Sequence, residues 1–306
     1  MQTSRVLARL LTGLYALIVT PLATGLLSWG GSAWLMLVQQ YGYVGVPLGD
    51  VPPGMMVQAL GAPVVGIALL ASVVATGIAS SAGLLVVGVI SLFSVVMALF
   101  PALLFHAYDL SRELLPLQVV DGLVHGLPAV LHPAIGGFGL ALLLARRGPR
   151  APIAFSVIGL VLVPAVLLIG GGLLFAGLAR GQYEAMIYFQ LDPEPVSMLL
   201  VLVGLALVVA ALAGTRWSPY SLVAPALVLL AFALVMVLPI GWTMFADLWR
   251  LRETATLFSF TSMGGTAALG VLMLVFTGVL AIVRGRARRR LQAPPSTAAD
   301  QPAAGS

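Results

Sequence analysis

Long runs of apolar residues, separated by short polar segments, dominate the pattern along this chain. A helix needs about 20 apolar residues to cross the hydrocarbon core of a bilayer, and eight segments approach or exceed that length. They cover residues 6–29, 55–79, 83–107, 127–145, 152–179, 197–213, 221–245 and 263–283. Within them the apolar positions are continuous instead of alternating, which favours helices over the strands of a β-barrel. The pattern predicts an all-α polytopic membrane protein with about eight transmembrane helices.

The composition excludes several other classes of protein. Of the 306 residues, 60% are hydrophobic and 8% are charged, whereas soluble domains carry about 25% charged residues. The chain contains no Cys and no Lys, so it has no disulfide, no Lys-bound cofactor and no phosphate-binding loop of the Gly-Lys-Ser/Thr type. The absence of Lys and Asn is typical of a GC-rich bacterial genome. We expect no nucleic-acid partner.

The arginines predict how the chain is oriented in the membrane, because cytoplasmic loops carry an excess of Arg. With the N-terminus inside, the inner segments hold eleven of the 15 arginines: Arg5, Arg9, Arg146, Arg147, Arg150, Arg216, Arg284, Arg286, Arg288, Arg289 and Arg290. Both termini are then cytoplasmic, and the eight helices form four hairpins whose longer loops lie outside. The expected location is the cytoplasmic (inner) membrane, as a multi-pass protein.

The chain divides into one membrane domain and a tail. Residues 1–283 form a single transmembrane helical domain, whose first segment we interpret as an uncleaved anchor, with a signal peptide as the alternative. Residues 284–306 form a cytoplasmic tail that is polybasic and then disordered. Its five arginines are typical of a stop-transfer signal and of a site for anionic lipid: Arg284, Arg286, Arg288, Arg289 and Arg290.

The loop between the third and fourth spans is amphipathic. Residues 109–127 place Leu and Val at steps of three or four, which predicts a helix. Such a helix either caps the bundle, which we favour, or lies along the outer membrane surface.

Three histidines border the same loop. His106 ends the third span, His125 lies in the loop and His132 opens the fourth span. Imidazoles from facing helices can bind copper, zinc or haem. The alternative is that each His is a polar side chain near water. We expect no cofactor, with copper or haem as the alternative.

The fifth span carries a proline and a run of glycines. Pro164, Gly170, Gly171 and Gly172 together could break the helix, and broken helices expose backbone groups that bind substrate in some transporters. Close packing against a neighbouring helix is the alternative. As a hypothesis, these four residues line a substrate pathway.

An enzyme is the less favoured class. The candidate outer carboxylates are Asp50 in the first outer loop and Glu184, Asp192 and Glu194 in the third, and Asp50 resembles, by position alone, the first-loop acid of membrane glycosyltransferases that use lipid-phosphate sugars. The sequence favours a transporter or permease-type subunit for an apolar or amphipathic substrate, because no Asp, Glu, Arg or His falls at a predicted midplane. A scaffold or accessory subunit of a membrane complex is the first alternative, and the histidine hairpin as a metal or haem protein is the second. The expected partners are the lipid bilayer and either another membrane protein or a second copy of this chain.

Overall fold

The structure is a computed structural model that describes residues 2–37, 51–147, 153–183, 191–238 and 252–292, with positions 185 and 188. In chain order the helices are α1 (Gln2–Leu37), α2 (Pro53–Ile78), α3 (Ala82–Leu99), α4 (Pro101–Leu114), α5 (Leu117–Val124), α6 (Leu127–Arg147), α7 (Ile153–Leu178), α8 (Pro195–Gly214), α9 (Pro219–Val237), α10 (Arg252–Ser262) and α11 (Gly265–Gln292). Eight of these helices are long and apolar enough to cross a membrane, and α4, α5 and α10 are not. The described residues form no strand. The predicted class, an α-helical multi-pass membrane protein, is confirmed.

Proline and glycine set many of the helix ends. The helices α2, α4, α8 and α9 begin at proline, whose missing N–H is not needed in the first turn. After α5 and α10 the chain turns through Gly126 and Gly264, which have φ of 75° and 78°. Only glycine adopts this conformation without strain.

The boundaries of three spans differ from the prediction. The helix of the seventh span ends at Val237 and not at residue 245, because the next residue, which precedes a proline in the sequence, is extended. The third span ends at Leu99 and not at residue 107, because Phe100 is extended before Pro101 and α4 begins there as a separate helix. The first span continues beyond residue 29 to Leu37.

The helix α6 lies at the centre of the bundle. It is the most enclosed of the spans and packs against α3, α8 and α11. Its crossing with α3 is close, since a Cβ added to Gly136 would lie 2.5 Å from the Cα of Gly88. On its other side, the rings of Phe138 and Phe276 stack with their centroids 4.4 Å apart. The bundle therefore has a tightly packed central helix, and side chains on α6 are held in fixed positions by its neighbours.

Charged side chains are divided between the two ends of the bundle. At one end, Arg146 of α6 donates to the C=O of Gly77 and to the hydroxyl of Ser81. Nearby on the same end, Arg284 of α11 donates to the C=O of Trp217. We call this the arginine end. The opposite end, which carries Asp109, Asp121 and Glu194, is the acidic end.

Candidate functional site: a polar stripe along α1

Four hydroxyl side chains follow one another along α1 at steps of four residues. They are Thr20, Thr24, Ser28 and Ser32, and their exposed fractions are 1%, 6%, 1% and 5%. Each step turns by roughly 40° around a helix of 3.6 residues per turn, so the row winds slowly around α1. Its length is about 18 Å, which is more than half of a hydrocarbon core of about 30 Å. We call these four residues the polar stripe.

The deeper half of the polar stripe contacts His132 of α6. The Thr24 hydroxyl donates to the C=O of Thr20 at 2.8 Å and lies 3.1 Å from Nε2 of His132. Since a hydroxyl has one hydrogen, Thr24 accepts from His132, and Nε2 carries the ring proton. Nδ1 is then the acceptor for the Ser94 hydroxyl of α3, at 3.4 Å. A directional chain of hydrogen bonds thus joins α3, α6 and α1 in the interior.

The outer half of the polar stripe holds the short helix α5. The Ser28 hydroxyl donates to the C=O of Gln118 and accepts from the N–H of Gly122, both at 2.6 Å. These two backbone groups are the pair that would close one turn of α5. Residue 122 must be small, because a Cβ there would lie 2.8 Å from the Cβ of Ser28. This helix therefore caps the polar stripe at the acidic end.

The single helix predicted over 109–127 is divided in the structure. Leu115 is extended before Pro116, so residues 109–114 belong to α4.

A carboxylate lies where the polar stripe reaches the acidic end. Ser32 donates to Oδ2 of Asp121 at 3.1 Å, and Tyr108 of α4 donates to Oδ1 at 3.1 Å. Burial, together with the Asp121 charge, raises the pKa of Tyr108 to about 12, so it stays a donor at neutral pH. Burial also lowers the pKa of His125, and Asp121 opposes this shift.

Towards the arginine end, the buried face of α6 beyond His132 is apolar. The buried face of α6 continues with Ile135, Phe138 and Leu142, which are fully buried. The polar stripe is therefore a polar path that begins at the acidic end and stops inside the bundle.

The structure separates the three histidines. His132 is buried between Thr24 and Ser94, whereas His106 is exposed on α4 and His125 is half-buried after α5. Within the described ranges, no group of three His, Asp or Glu side chains could hold a metal ion. The arrangement of the three histidines therefore does not support a shared copper or haem site. Binding of copper or haem remains an untested hypothesis.

Helix α7 is continuous through Pro164 and the three glycines, so the expected break is absent from this conformation. Gly170 packs against α8, where an added Cβ would lie 2.8 Å from the Cβ of Leu207. Gly171 and Gly172 have open space, with no atom within 4 Å of an added Cβ. Gly170 is thus a packing glycine. The pathway role of these four residues remains a prediction.

The remaining candidates are dispersed. Arg284 is buried against Trp217, while Arg286, Arg288 and Arg289 are exposed at the end of α11. The side chain of Arg290 lies outside the described residues, as do Asp50 and Glu184. Asp192 is exposed, and Glu194 pairs with Arg180 at 3.9 Å.

Comparison with known proteins adds no relative. The chain matches no family model, no curated protein and no solved structure. The fold therefore defines a class, the α-helical multi-pass membrane protein, and the site must be interpreted from its own chemistry.

The sequence analysis did not identify the polar stripe. A signal was present in the four-residue spacing of Thr20, Thr24, Ser28 and Ser32. Hydroxyls in membrane helices usually bond back to their own helix, and only the packing of α3, α5 and α6 around α1 shows that these contact other helices.

Proposed function

We propose that this chain is a transporter or permease-type subunit for an amphipathic substrate. In this proposal it lies in the cytoplasmic membrane as four helical hairpins, with the arginine end and both termini inside. The excess of Arg at that end supports this orientation. The acidic end then faces outwards, and a substrate would enter from there.

One observation carries the proposal: a row of buried hydroxyls reaches from Asp121 to Thr20 along a single helix of the bundle. Polar groups are costly in the membrane interior unless they have partners. A substrate whose polar group exchanges hydrogen bonds with these hydroxyls could move along them while its apolar part stays in contact with the helices or lipid.

Helix α5 would act as the outer gate in this proposal. It covers the polar stripe and is held by Ser28 and Ser32, two hydroxyls whose bonds a substrate or water could replace. Transport would then require α5 to leave α1, and this requirement can be tested directly.

The test uses the double variant Ser32→Cys/Asp121→Cys, since the chain contains no other cysteine. The protein is reconstituted in liposomes with short-chain fluorescent lipids that have neutral, anionic or cationic head groups, and extraction of the outer-leaflet lipid into albumin, which leaves disulfides intact, measures their movement between leaflets. We expect movement of at least one lipid above protein-free liposomes, its loss on oxidation and its recovery on reduction. The two single-cysteine variants, treated in the same way, are the controls. No movement with any lipid, or full movement in the cross-linked protein, would contradict the proposal.

The pathway hypothesis for span five has its own variant. Gly171→Leu has room for its side chain and should leave the protein folded. If Pro164, Gly170, Gly171 and Gly172 line the pathway, this variant loses transport. Normal transport would mean that the open face of α7 has no part in it.

Native mass spectrometry of protein extracted gently from its own membrane distinguishes a transporter from the first alternative, an accessory subunit. A stoichiometric partner protein would favour that alternative. A monomer or homo-oligomer would favour the transporter.

The same measurement tests the lipid site on α11. Retained anionic lipid that is lost in the triple variant Arg286→Gln/Arg288→Gln/Arg289→Gln would support this site.

A further inference from the structure

The hydroxyl of Thr20 is buried at the deep end of the polar stripe and has no hydrogen-bond partner. Its neighbour Thr24 donates to the carbonyl four residues earlier, and so does Thr277 of α11. Thr20 does not make this usual bond to Ala16. An unbonded buried hydroxyl is unfavourable. Thr20 differs from the other unbonded hydroxyls because it ends the row formed by the other members of the polar stripe, so its free hydrogen-bonding capacity suits a partner that arrives along that row.

The surroundings of Thr20 restrict the charge of such a partner. The helices that pack against α1 are α2, α3, α5, α6 and α10, and the end of α10 meets α1 at Gly31, about three turns from Thr20. Within the described ranges, α2 and α3 carry no charged residue, and the arginines of α6 lie at the arginine end. Asp121 of α5 is the one charged side chain bonded to the polar stripe, and both of its oxygens already accept hydroxyl bonds. A charged group brought to Thr20 would have no opposite charge beside it, which is costly inside a membrane.

We propose that the Thr20 hydroxyl binds the polar group of the substrate, and that this group is uncharged and carries a hydroxyl, as in a glycolipid or an alcohol. This inference rests on the proposed transport function and specifies its substrate class. The substrate's hydroxyl would exchange a hydrogen bond with Thr20, next to the Thr24–His132–Ser94 chain, whose members already have partners.

The chain offers a matched control for this test. Thr266 of α11 is also 1% exposed, and its hydroxyl also has no partner. It lies on α11, three residues after Met263, whose Sδ is 3.9 Å from the Ser32 hydroxyl, and Thr266 itself has no hydrogen bond to the polar stripe. Thr20→Val and Thr266→Val thus remove the same group from two equally buried positions. Replacing an unbonded hydroxyl by a methyl group of similar shape should leave both variants at least as stable as the wild type.

The experiment measures movement of three short-chain fluorescent lipids in proteoliposomes: glucosylceramide, phosphatidylglycerol and a trimethylammonium lipid. The wild type should move glucosylceramide faster than both charged lipids. Thr20→Val should slow glucosylceramide about fivefold, the loss expected for one neutral hydrogen bond. Thr266→Val should match the wild type, and Thr20→Ser should recover most of the rate.

Three results would overturn the inference. They are preferential movement of a charged lipid, an undiminished rate in Thr20→Val, and an equal loss in Thr266→Val. In each case a lipid still moves, so the transport proposal stands. If no lipid moves above the protein-free rate, the transport proposal fails and the inference fails with it. A thermal unfolding curve of each variant shows whether a lost rate reflects lost folding.

Discussion

Single hydroxyl groups on α1 bond it to two of the helices that contact it, α5 and α6. Thr24 connects α1 to α6 through His132, Ser28 connects it to α5, and Ser32 reaches Asp121. Each bond satisfies a polar group that the membrane could not satisfy, and each therefore requires its partner helix to be present. The contact of α1 with α2, in contrast, involves none of these hydroxyl bonds.

The bond between Thr24 and His132 predicts a measurable stability loss. Thr24→Val leaves the Nε2–H of His132 buried without an acceptor, which should cost about 1–3 kcal/mol of unfolding free energy. SDS titration of the purified protein measures this value. Ser91→Ala is the control, because Ser91 bonds only within its own helix, to Gly88, and should lose less. Equal losses in both variants would mean that the bond between helices contributes nothing of its own.

His125 predicts a dependence of stability on pH. Burial lowers its pKa in the folded protein, so the unfolded chain binds a proton first as the pH falls. The contribution of neutral His125 is complete above its ordinary pKa of about 6.5 and decreases below it. We expect the melting temperature to fall between pH 7.5 and 5.5, and His125→Gln to reduce that fall. His106→Gln, at an exposed position, should keep the full dependence; if it flattens the curve as much as His125→Gln does, the assignment to His125 is wrong.

At the scale of helices, close approach depends on glycine, and helix ends depend on proline. Gly88 and Gly136 let α3 and α6 touch through their backbones, and Gly170 and Gly204 do the same for α7 and α8. Pro101 divides the predicted third span into a membrane helix and the separate helix α4. The sequence analysis identified small-residue faces but not which glycines form the crossings, since that depends on which helices are neighbours.

The α3–α6 crossing predicts a difference between two glycine substitutions. Gly136→Ala would place its Cβ against backbone, which cannot move without separating the helices. We expect a loss of about 1–3 kcal/mol, the usual cost of overpacking a close contact. Gly171→Ala, with nothing within 4 Å of the added carbon, should leave the unfolding free energy unchanged or slightly higher. Comparable losses for both would contradict this account of the crossing.

The whole molecule is asymmetric across the membrane. The hydroxyl row of α1 reaches the acidic end through Asp121, whereas the buried face of α6 from Ile135 to Leu142 is apolar. At the arginine end the polar groups belong to the connections between helices, where Arg146 and Arg284 bond to backbone carbonyls. This asymmetry is what we expect of a site that opens to one side.

The proposed orientation predicts a labelling pattern. Glu113→Cys and Arg147→Cys place single cysteines at exposed positions of the acidic and arginine ends. In intact cells, a membrane-impermeant maleimide should label position 113 and should label position 147 only after the membrane is opened. The opposite pattern would reverse the orientation, and labelling of both positions in intact cells would contradict an outside acidic end.

Much of the fold was predictable, because a bilayer tolerates only a few backbone arrangements. Eight apolar runs implied eight helices, and the helices form as expected, with corrected ends in three of them. The site was less predictable. His132 was identified, but as part of a histidine group, because its true partners, Thr24 and Ser94, lie on helices distant in sequence.

The sequence by itself determined the class of protein and the number of its spans, since hydropathy and helix length are local properties. Only the tertiary structure decided which hydroxyls contact other helices, which glycines form crossings, and that His132 meets Thr24 and not the other histidines. The physical reason is that these features belong to pairs of helices. A hydrogen bond or a close backbone contact exists only when both partners are in place. The sequence around one partner does not show which distant residue the other partner is.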